Sequence, residues 1–294
     1  MTDRRVLEVL APGPMTTVQD LGRPGLAHLG VGRSGAADRE ALRLANRLLA
    51  NPEGAAGLEV TMGGLVVRSH CHLLVALTGA PSPASLTTAE GRTRGVGHSA
   101  VECLPPGSVL RLGHPPYGLR TYLAVRGGLA VAEVLGSRST DTMAGLGPPR
   151  PTTGTLLPVG PPPAAFPLID LAPVPRPPSG ETILEVLPGP RHDWFSPEAL
   201  DSLCSAPYEV TTQSDRIGMR LRGPHLARAN PGELPTEGMV PGALQVPPSG
   251  QPTLFLADHP VTGGYPVIAV VRTSHVDRAA QARPGDHIRF RIGR

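Results

Sequence analysis

The chain has 294 residues, with 36 glycines, 36 prolines and a formal charge of +3 from 27 basic and 24 acidic side chains. All 27 basic residues are arginine, which excludes a Walker-type phosphate-binding lysine, a Schiff-base lysine and a biotin-carrying lysine. A hydrophobic fraction of 40% is enough for a core, and the arginines form no stripe interleaved with aromatics, so no nucleic-acid partner is expected.

The amino terminus holds too short an apolar run for a signal peptide, and no stretch approaches the roughly 20 apolar residues of a membrane span. A cytoplasmic protein with no membrane partner is therefore expected. Three scattered cysteines, Cys71, Cys103 and Cys204, give neither a disulfide framework nor a zinc pattern. The first helix is predicted over residues 35–49, with Ser34 as N-cap, Ala41, Leu44, Ala45 and Leu48 as its apolar stripe, and Asn51-Pro52 as its stop. His70 and His72 precede a strand and can share a face, but no third ligand accompanies them, so no metal site is expected. Short apolar or alternating runs bounded by turn residues predict strands over 73–77, 109–112 and 120–125.

Residues 148–180 carry 12 of the 36 prolines. Such a segment cannot form a packed helix or a central strand, and it reads as an extended connector between residues 1–147 and 181–294. Beyond it come a second helix over 196–203, with Ser196 as N-cap before Pro197, and strands over 253–257, 267–272 and 287–292.

The two sides echo each other. Leu7-Glu-Val-Leu-Ala-Pro-Gly-Pro14 recurs as Leu184-Glu-Val-Leu-Pro-Gly-Pro190, and Pro106-Gly-Ser-Val-Leu-Arg-Leu112 as Pro284-Gly-Asp-His-Ile-Arg-Phe290. Thr16-Thr-Val-Gln-Asp-Leu-Gly22 finds a counterpart in Thr211-Thr-Gln-Ser-Asp-Arg-Ile-Gly218, and Glu59 with Thr78-Gly79 parallels Glu237 with Thr262-Gly263. A consistent order of echoes argues for two related units, and many short strands with few helices argue for β-barrels or sandwiches.

Three clusters in the second half carry candidate chemistry: Gln213-Ser-Asp-Arg-Ile-Gly-Met-Arg220, Glu237-Gly-Met-Val-Pro-Gly242 and Ala257-Asp-His-Pro-Val-Thr-Gly-Gly-Tyr-Pro266. The last places Asp258 and His259 at a strand end beside Thr262, Gly263 and Gly264, whose backbone N–H groups can cradle an anion. Arg216 or Arg220 would supply the positive charge. The bland alternative for each cluster is a tight glycine turn or a salt bridge that fixes a loop.

Thr17-Val-Gln-Asp-Leu-Gly-Arg-Pro-Gly25, Ser34-Gly-Ala-Ala-Asp-Arg39, Gly136-Ser-Arg-Ser-Thr-Asp141, Gln213-Ser-Asp-Arg216, Glu237-Gly-Met-Val-Pro-Gly242 and Thr262-Gly-Gly-Tyr-Pro266 resemble the allophanate hydrolase subunit 2 family. Members of that family include the C subunit of 5-oxoprolinase, the antagonist of a sporulation-kinase inhibitor, and half of the carboxyltransferase region of urea carboxylase. The resemblance implies a mainly β fold of two related cyclophilin-like β-barrel units. It also implies a role as the C subunit of an ATP-dependent 5-oxoprolinase, working with the A and B subunits to open a small lactam. ATP with Mg would then be bound at a shared interface, and any biotin would be carried by another polypeptide. Under this resemblance Asp258 or Glu237 would act as base or metal-ion ligand and His259 as acid or base. Gln213, Asp215, Arg216, Arg220, Thr262, Gly263, Gly264 and Tyr265 would hold substrate or phosphate. A biotin-dependent carboxyltransferase component and a non-catalytic regulator-binding protein are the alternatives.

Overall fold

The computed structural model describes residues 5–174, 181–230 and 232–293. It is mainly β, as expected, with three α-helices among the described residues. Two compact units are formed, and neither is one continuous stretch. The first comprises Met1–Arg23, Asp38–Thr140 and Leu146–Arg176; the second comprises Pro24–Ala37, Asp141–Gly145 and Pro177–Arg294.

In the first unit, strands β1 (Val6–Pro12), β2 (Met15–Gln19), β3 (Gly57–Thr61), β4 (Leu65–Ser69), β5 (Leu73–Gly79), β6 (Ala84–Thr87), β7 (Thr93–Val96), β8 (Val101–Leu104), β9 (Val109–Leu112), β10 (Arg120–Val125) and β11 (Leu156–Pro158) form two sheets. Their orders are β11-β1-β4-β9-β6-β7 and β2-β3-β10-β5-β8. Leu7 and Val9 of β1, Leu65 and Val67 of β4, and Leu110 of β9 meet Val60 of β3, Val75 of β5 and Leu123 of β10 in one core. Alternation along each strand sends those residues inward and their neighbours outward.

Strand β10 is buried along its whole length because α1 (Arg39–Leu48) covers its second face. Ala45 and Leu48 of the helix pack against Ala76 and Ala124, whose small side chains let helix and sheet approach closely. The helix begins later than predicted. Its N-cap is Asp38, whose side chain accepts a hydrogen bond from the Ala41 N–H at 3.0 Å. Ser34 sits instead at φ +54° outside the helix and spends its hydroxyl elsewhere.

The second unit contains β12 (Thr182–Pro188), β13 (Tyr208–Val210), β14 (Gly218–Arg222), β15 (Glu237–Gly238), β16 (Ala243–Gln245), β17 (Thr253–Phe255), β18 (Thr262–Gly263), β19 (Val267–Val271) and β20 (His287–Ile292), with α2 (Ala199–Ser205) and α3 (Thr273–Ala279). Seven strands close into a barrel, β12-β19-β16-β17-β14-β13-β20, sealed by parallel pairing of β12 with β20 from Thr182↔Ile288 to Val186↔Ile292. Closure removes every sheet edge from that ring. The expectation of a barrel in each unit thus meets a closed ring in the second and two sheets in the first. There the end strands are short, five residues in β2, four in β7 and β8 and three in β11, which blunts the edges that remain.

Two further differences have local causes. Helix α2 starts at Ala199 with Glu198 as its N-cap, and Ser196 lies in the preceding turn, where its carbonyl accepts from the Ala199 N–H at 2.9 Å and its N–H donates to the Ala227 carbonyl at 3.0 Å. The proline-rich segment also does more than span a gap. Its Leu156–Pro158 stretch adds β11 to the free side of β1, and Leu157 enters the core. This is an edge position, where proline's missing N–H is tolerated. The described connector residues up to 174 fall within the first unit.

Candidate functional site

The second unit gathers several of the expected residues around a buried ion pair. Strand β14 follows the turn that carries Asp215 and Arg216, and the Asp258 N–H donates to the Arg216 carbonyl at 3.0 Å, which aligns the two side chains. The guanidinium of Arg216 grips the Asp258 carboxylate with Nε to Oδ2 and Nη2 to Oδ1, both at 2.9 Å. Nη2 also donates to the Gly35 carbonyl at 2.6 Å. The Ser34 hydroxyl donates to Oδ1 at 2.7 Å, while the Thr142 N–H and hydroxyl donate to Oδ2 at 2.9 and 2.7 Å. Both charged side chains are 1% exposed or less. Burial alone would raise the Asp258 pKa, but the Arg216 charge and the bonds from Arg216, Thr142 and Ser34 outweigh it, so the carboxyl is held below its ordinary value.

Five hydrogen bonds occupy the Asp258 carboxylate, a geometry that stores charge in a fixed place instead of moving protons. Arg216 is buried with its counter-ion and is not presented to solvent. Sequence reading found Arg216 and Asp258 but missed Ser34, Gly35 and Thr142 as their partners. Their signal was present in the strings around Ser34 and Asp141, which the resemblance had already marked.

His259 follows directly. Its Nδ1 lies 2.7 Å from the Pro260 carbonyl, so the neutral ring carries its proton there, and the ring stacks on Phe255 with centroids 6.1 Å apart. Phe255 packs in turn with Met239, Ala243 and Val267. Above that cluster, β15 and β18 form a two-residue ribbon, Glu237↔Gly263 and Gly238↔Thr262. Glu237 accepts from Arg191 Nε at 2.8 Å and from Arg191 Nη2. That hydrogen bond lowers the Glu237 pKa, and Arg191 is raised in return. Arg191 was not singled out in the sequence, although it follows the repeated Pro-Gly-Pro190 string.

Gly263 packs against the Gln245 and Met239 side chains. A β-carbon there would lie 2.5 Å from Gln245 Nε2, whose amide also donates to the Tyr265 carbonyl at 3.2 Å. Gly264 has open space beside it, and Thr262 and Tyr265 are exposed. Gln213 and Asp215 lie in an exposed turn, where Asp215 accepts from the Ile217 and Gly218 N–H groups at 2.8 and 3.0 Å, and Arg220 is exposed on β14 just beyond it. The structure thus sorts the expected residues into a buried hub (Arg216, Asp258), a buried bridge (His259), an accessible ribbon and the loop after it (Glu237, Thr262, Gly263, Gly264, Tyr265) and a separate exposed turn with β14 after it (Gln213, Asp215, Arg220).

The first unit has its own buried carboxylates. Asp20 accepts from the Gly22 N–H, the Arg138 N–H and the hydroxyls of Ser137 and Ser139 at 2.5–2.7 Å. Glu59 accepts from the buried Tyr122 hydroxyl at 2.7 Å, and burial pushes that phenol's pKa well above its ordinary value, reinforced by the Glu59 charge.

A closed barrel carrying a buried Arg–Asp hub and an accessible glycine ribbon, with a duplicated sequence around it, defines a two-subdomain β protein with a polar site of arginine and carboxylate. The carboxyltransferase domain family, subdomains A and B, matches residues 29–292, and the chain belongs to that family. It is 36% identical to the 5-oxoprolinase C subunit of Escherichia coli K12 over 97% of this chain and 90% of that protein. The solved structure of TTHA0988 superimposes with a TM-score of 0.84 at 36% identity, over 99% of this chain and 56% of that one. The urea amidolyase of K. lactis superimposes with a TM-score of 0.92 at 29% identity, over 99% of this chain and 19% of that one. The chain therefore spans little more than half of the first solved relative and about a fifth of the second. No described helix is long and apolar enough to cross a membrane.

Proposed function

We propose that the chain is the C subunit of an ATP-dependent 5-oxoprolinase that acts with the A and B subunits to convert 5-oxo-L-proline to L-glutamate. The observation that carries this reading is the 36% identity to the E. coli protein across 97% of this chain. A lactam amide is a poor electrophile, and phosphorylation of its oxygen supplies a leaving group and exposes the carbon to water. The protein's part in such a step is positioning and charge neutralisation.

The accessible groups that suit that part are Arg191, held by Glu237 through one carboxylate oxygen, and the Thr262–Tyr265 loop above Gln245. Arg191 takes over the anion-binding role expected of Arg216, since the Arg191 side chain is 38% exposed and that of Arg216 only 1%. Asp258 and Arg216 become positioning residues that fix the strand end from which His259 and the loop project. The chain offers an arginine–carboxylate pair and two open glycines, Gly238 in the ribbon and Gly264 beside it, but no lysine, which suits part of a nucleotide site and not all of it. Under this reading ATP with Mg binds at a surface shared with the partner subunits, in a cytoplasmic complex.

Mixing the purified chain with the A and B subunits and measuring ATP-dependent glutamate release tests this. Release that requires the chain, and that falls at least about tenfold with Arg191→Gln, is expected. Unchanged release on omitting the chain overturns the reading. A carboxyltransferase component of a urea-type biotin-dependent enzyme is the second reading, favoured by the TM-score of 0.92 to K. lactis urea amidolyase. It predicts carboxyl transfer from a biotin carried by another polypeptide.

A further inference from the structure

The geometry points to a second ligand site in the first unit, a pocket for a small organic carboxylate with an apolar body, independent of the β15–β18 ribbon. A cavity of about 360 Å³ opens on the outer face of β5 and β8, where Leu74 and Cys103 are cross-strand partners. Its other walls are His72 and Leu73 and, from the proline-rich segment, Pro162 and Phe166, with Arg5 and Arg126 at its side. The size lies at the small end of ligand pockets.

The charge arrangement decides the ligand class. Arg126 is buried, and its guanidinium donates to the carbonyls of Leu49, Pro163 and Ala165 at 3.3, 2.7 and 2.9 Å. Its charged carbon lies 4.6 Å from the centre of the Phe166 ring. Arg5 donates to the carbonyls of Gly160 and Arg126 at 2.8 and 2.9 Å. Both charges are thus met by neutral carbonyls and an aromatic face, with no carboxylate in those contacts. Each guanidinium carries five N–H donors, so Arg5 keeps three and Arg126 two beyond these bonds.

Two positive charges with no carboxylate partner among the described residues, beside a low-dielectric wall, focus a potential that attracts anions. The walls select among anions. Leu74, Pro162 and the Phe166 ring are apolar, so a hydrated inorganic ion would leave them wet, whereas a carboxylate with an aliphatic body covers them and places its charge at the arginines. The same arginines also fasten the 160–166 segment, so the pocket wall and its charge come from one set of contacts.

Cys103 provides a reporter inside the site. The intact chain is alkylated with iodoacetate and, separately, with iodoacetamide at low ionic strength, and modification of Cys103 is followed by mass spectrometry, with N-acetylcysteine as reference. The iodoacetate-to-iodoacetamide rate ratio at Cys103 is expected about tenfold above the reference, and to fall toward it as salt rises to about 0.5 M. Hexanoate should protect Cys103 from both reagents, while hexanamide and inorganic phosphate should not. Arg5→Gln should lower the ratio several-fold; if that variant does not fold, the salt series and the protection series on the wild-type chain carry the same discrimination. A ratio equal to the reference, or equal protection by hexanamide or phosphate, overturns the proposal.

Discussion

Asp258 shows how a single side chain ties a candidate site to stability. Its carboxylate is buried against Arg216, so Asp258→Asn leaves a guanidinium without its counter-ion in a region water does not reach. Breaking a buried pair in this way costs about 3–5 kcal/mol, to be read from the urea midpoint at pH 7. The pH dependence has a definite sign. Because the folded pKa lies below the ordinary value, the pair stabilises the protein above the unfolded aspartate range, about 3.9, and this contribution is lost as pH falls through the folded value. Wild type and Asp258→Asn should therefore differ by a constant amount above about pH 5 and converge as pH falls from there into strong acid. Parallel curves over that range would falsify the assignment. The aspartate and the arginine were legible in the sequence as Gln213-Ser-Asp-Arg216 and Ala257-Asp-His259. That they face each other was not, since 42 residues separate them and only the pairing of β14 with β17 brings their ends together.

At the scale of elements, the repeated Pro-Gly-Pro strings have one physical cause in both units. Gly13 follows β1 with φ +68°, and a β-carbon on it would lie 2.3 Å from the Gly63 carbonyl oxygen. Gly189 follows β12, and a β-carbon there would lie 2.4 Å from the Val267 carbonyl oxygen. In each case a neighbouring backbone passes too close for any side chain. Gly189→Ala should accordingly destabilise by about 1–3 kcal/mol, measured as a lower urea midpoint with an unchanged slope. The aspartates of the second repeat are alike too: Asp20 and Asp215 both accept from N–H groups two residues ahead, the short-range turn that this side chain favours. Strand positions were the most readable feature, because alternation and bounding turn residues are local. The starts of α1 and α2 were misplaced because Ser34 and Ser196 are good caps in isolation, whereas the Ser34 hydroxyl is engaged by Asp258 and Ser196 lies in a turn ahead of α2.

The whole molecule departs furthest from a linear reading. Residues 24–37 and 141–145 belong with the second unit although they precede the connector, and they bring Ser34, Gly35 and Thr142 to the buried hub. The second half of the chain by itself lacks these donors and acceptors, each worth about 1.5–3 kcal/mol on a charged partner. Expressed alone, residues 181–294 should therefore show no cooperative urea transition. A fragment that unfolds cooperatively at the midpoint of the intact chain would show that the hub needs only its own half.

The sequence by itself determined the β character, the duplication, the family resemblance and the reliance on arginine for every fixed positive charge beyond histidine. Those properties rest on residue type and local spacing, which a linear string contains. Tertiary structure decided which arginine is buried and which is accessible, that one unit closes into a ring while the other keeps two sheets, and that two early segments complete the later unit. Those outcomes depend on strand pairing and burial between residues far apart in the chain, and desolvation, which turns Arg216 from a ligand-binding candidate into a structural counter-ion, exists only once the chain has folded.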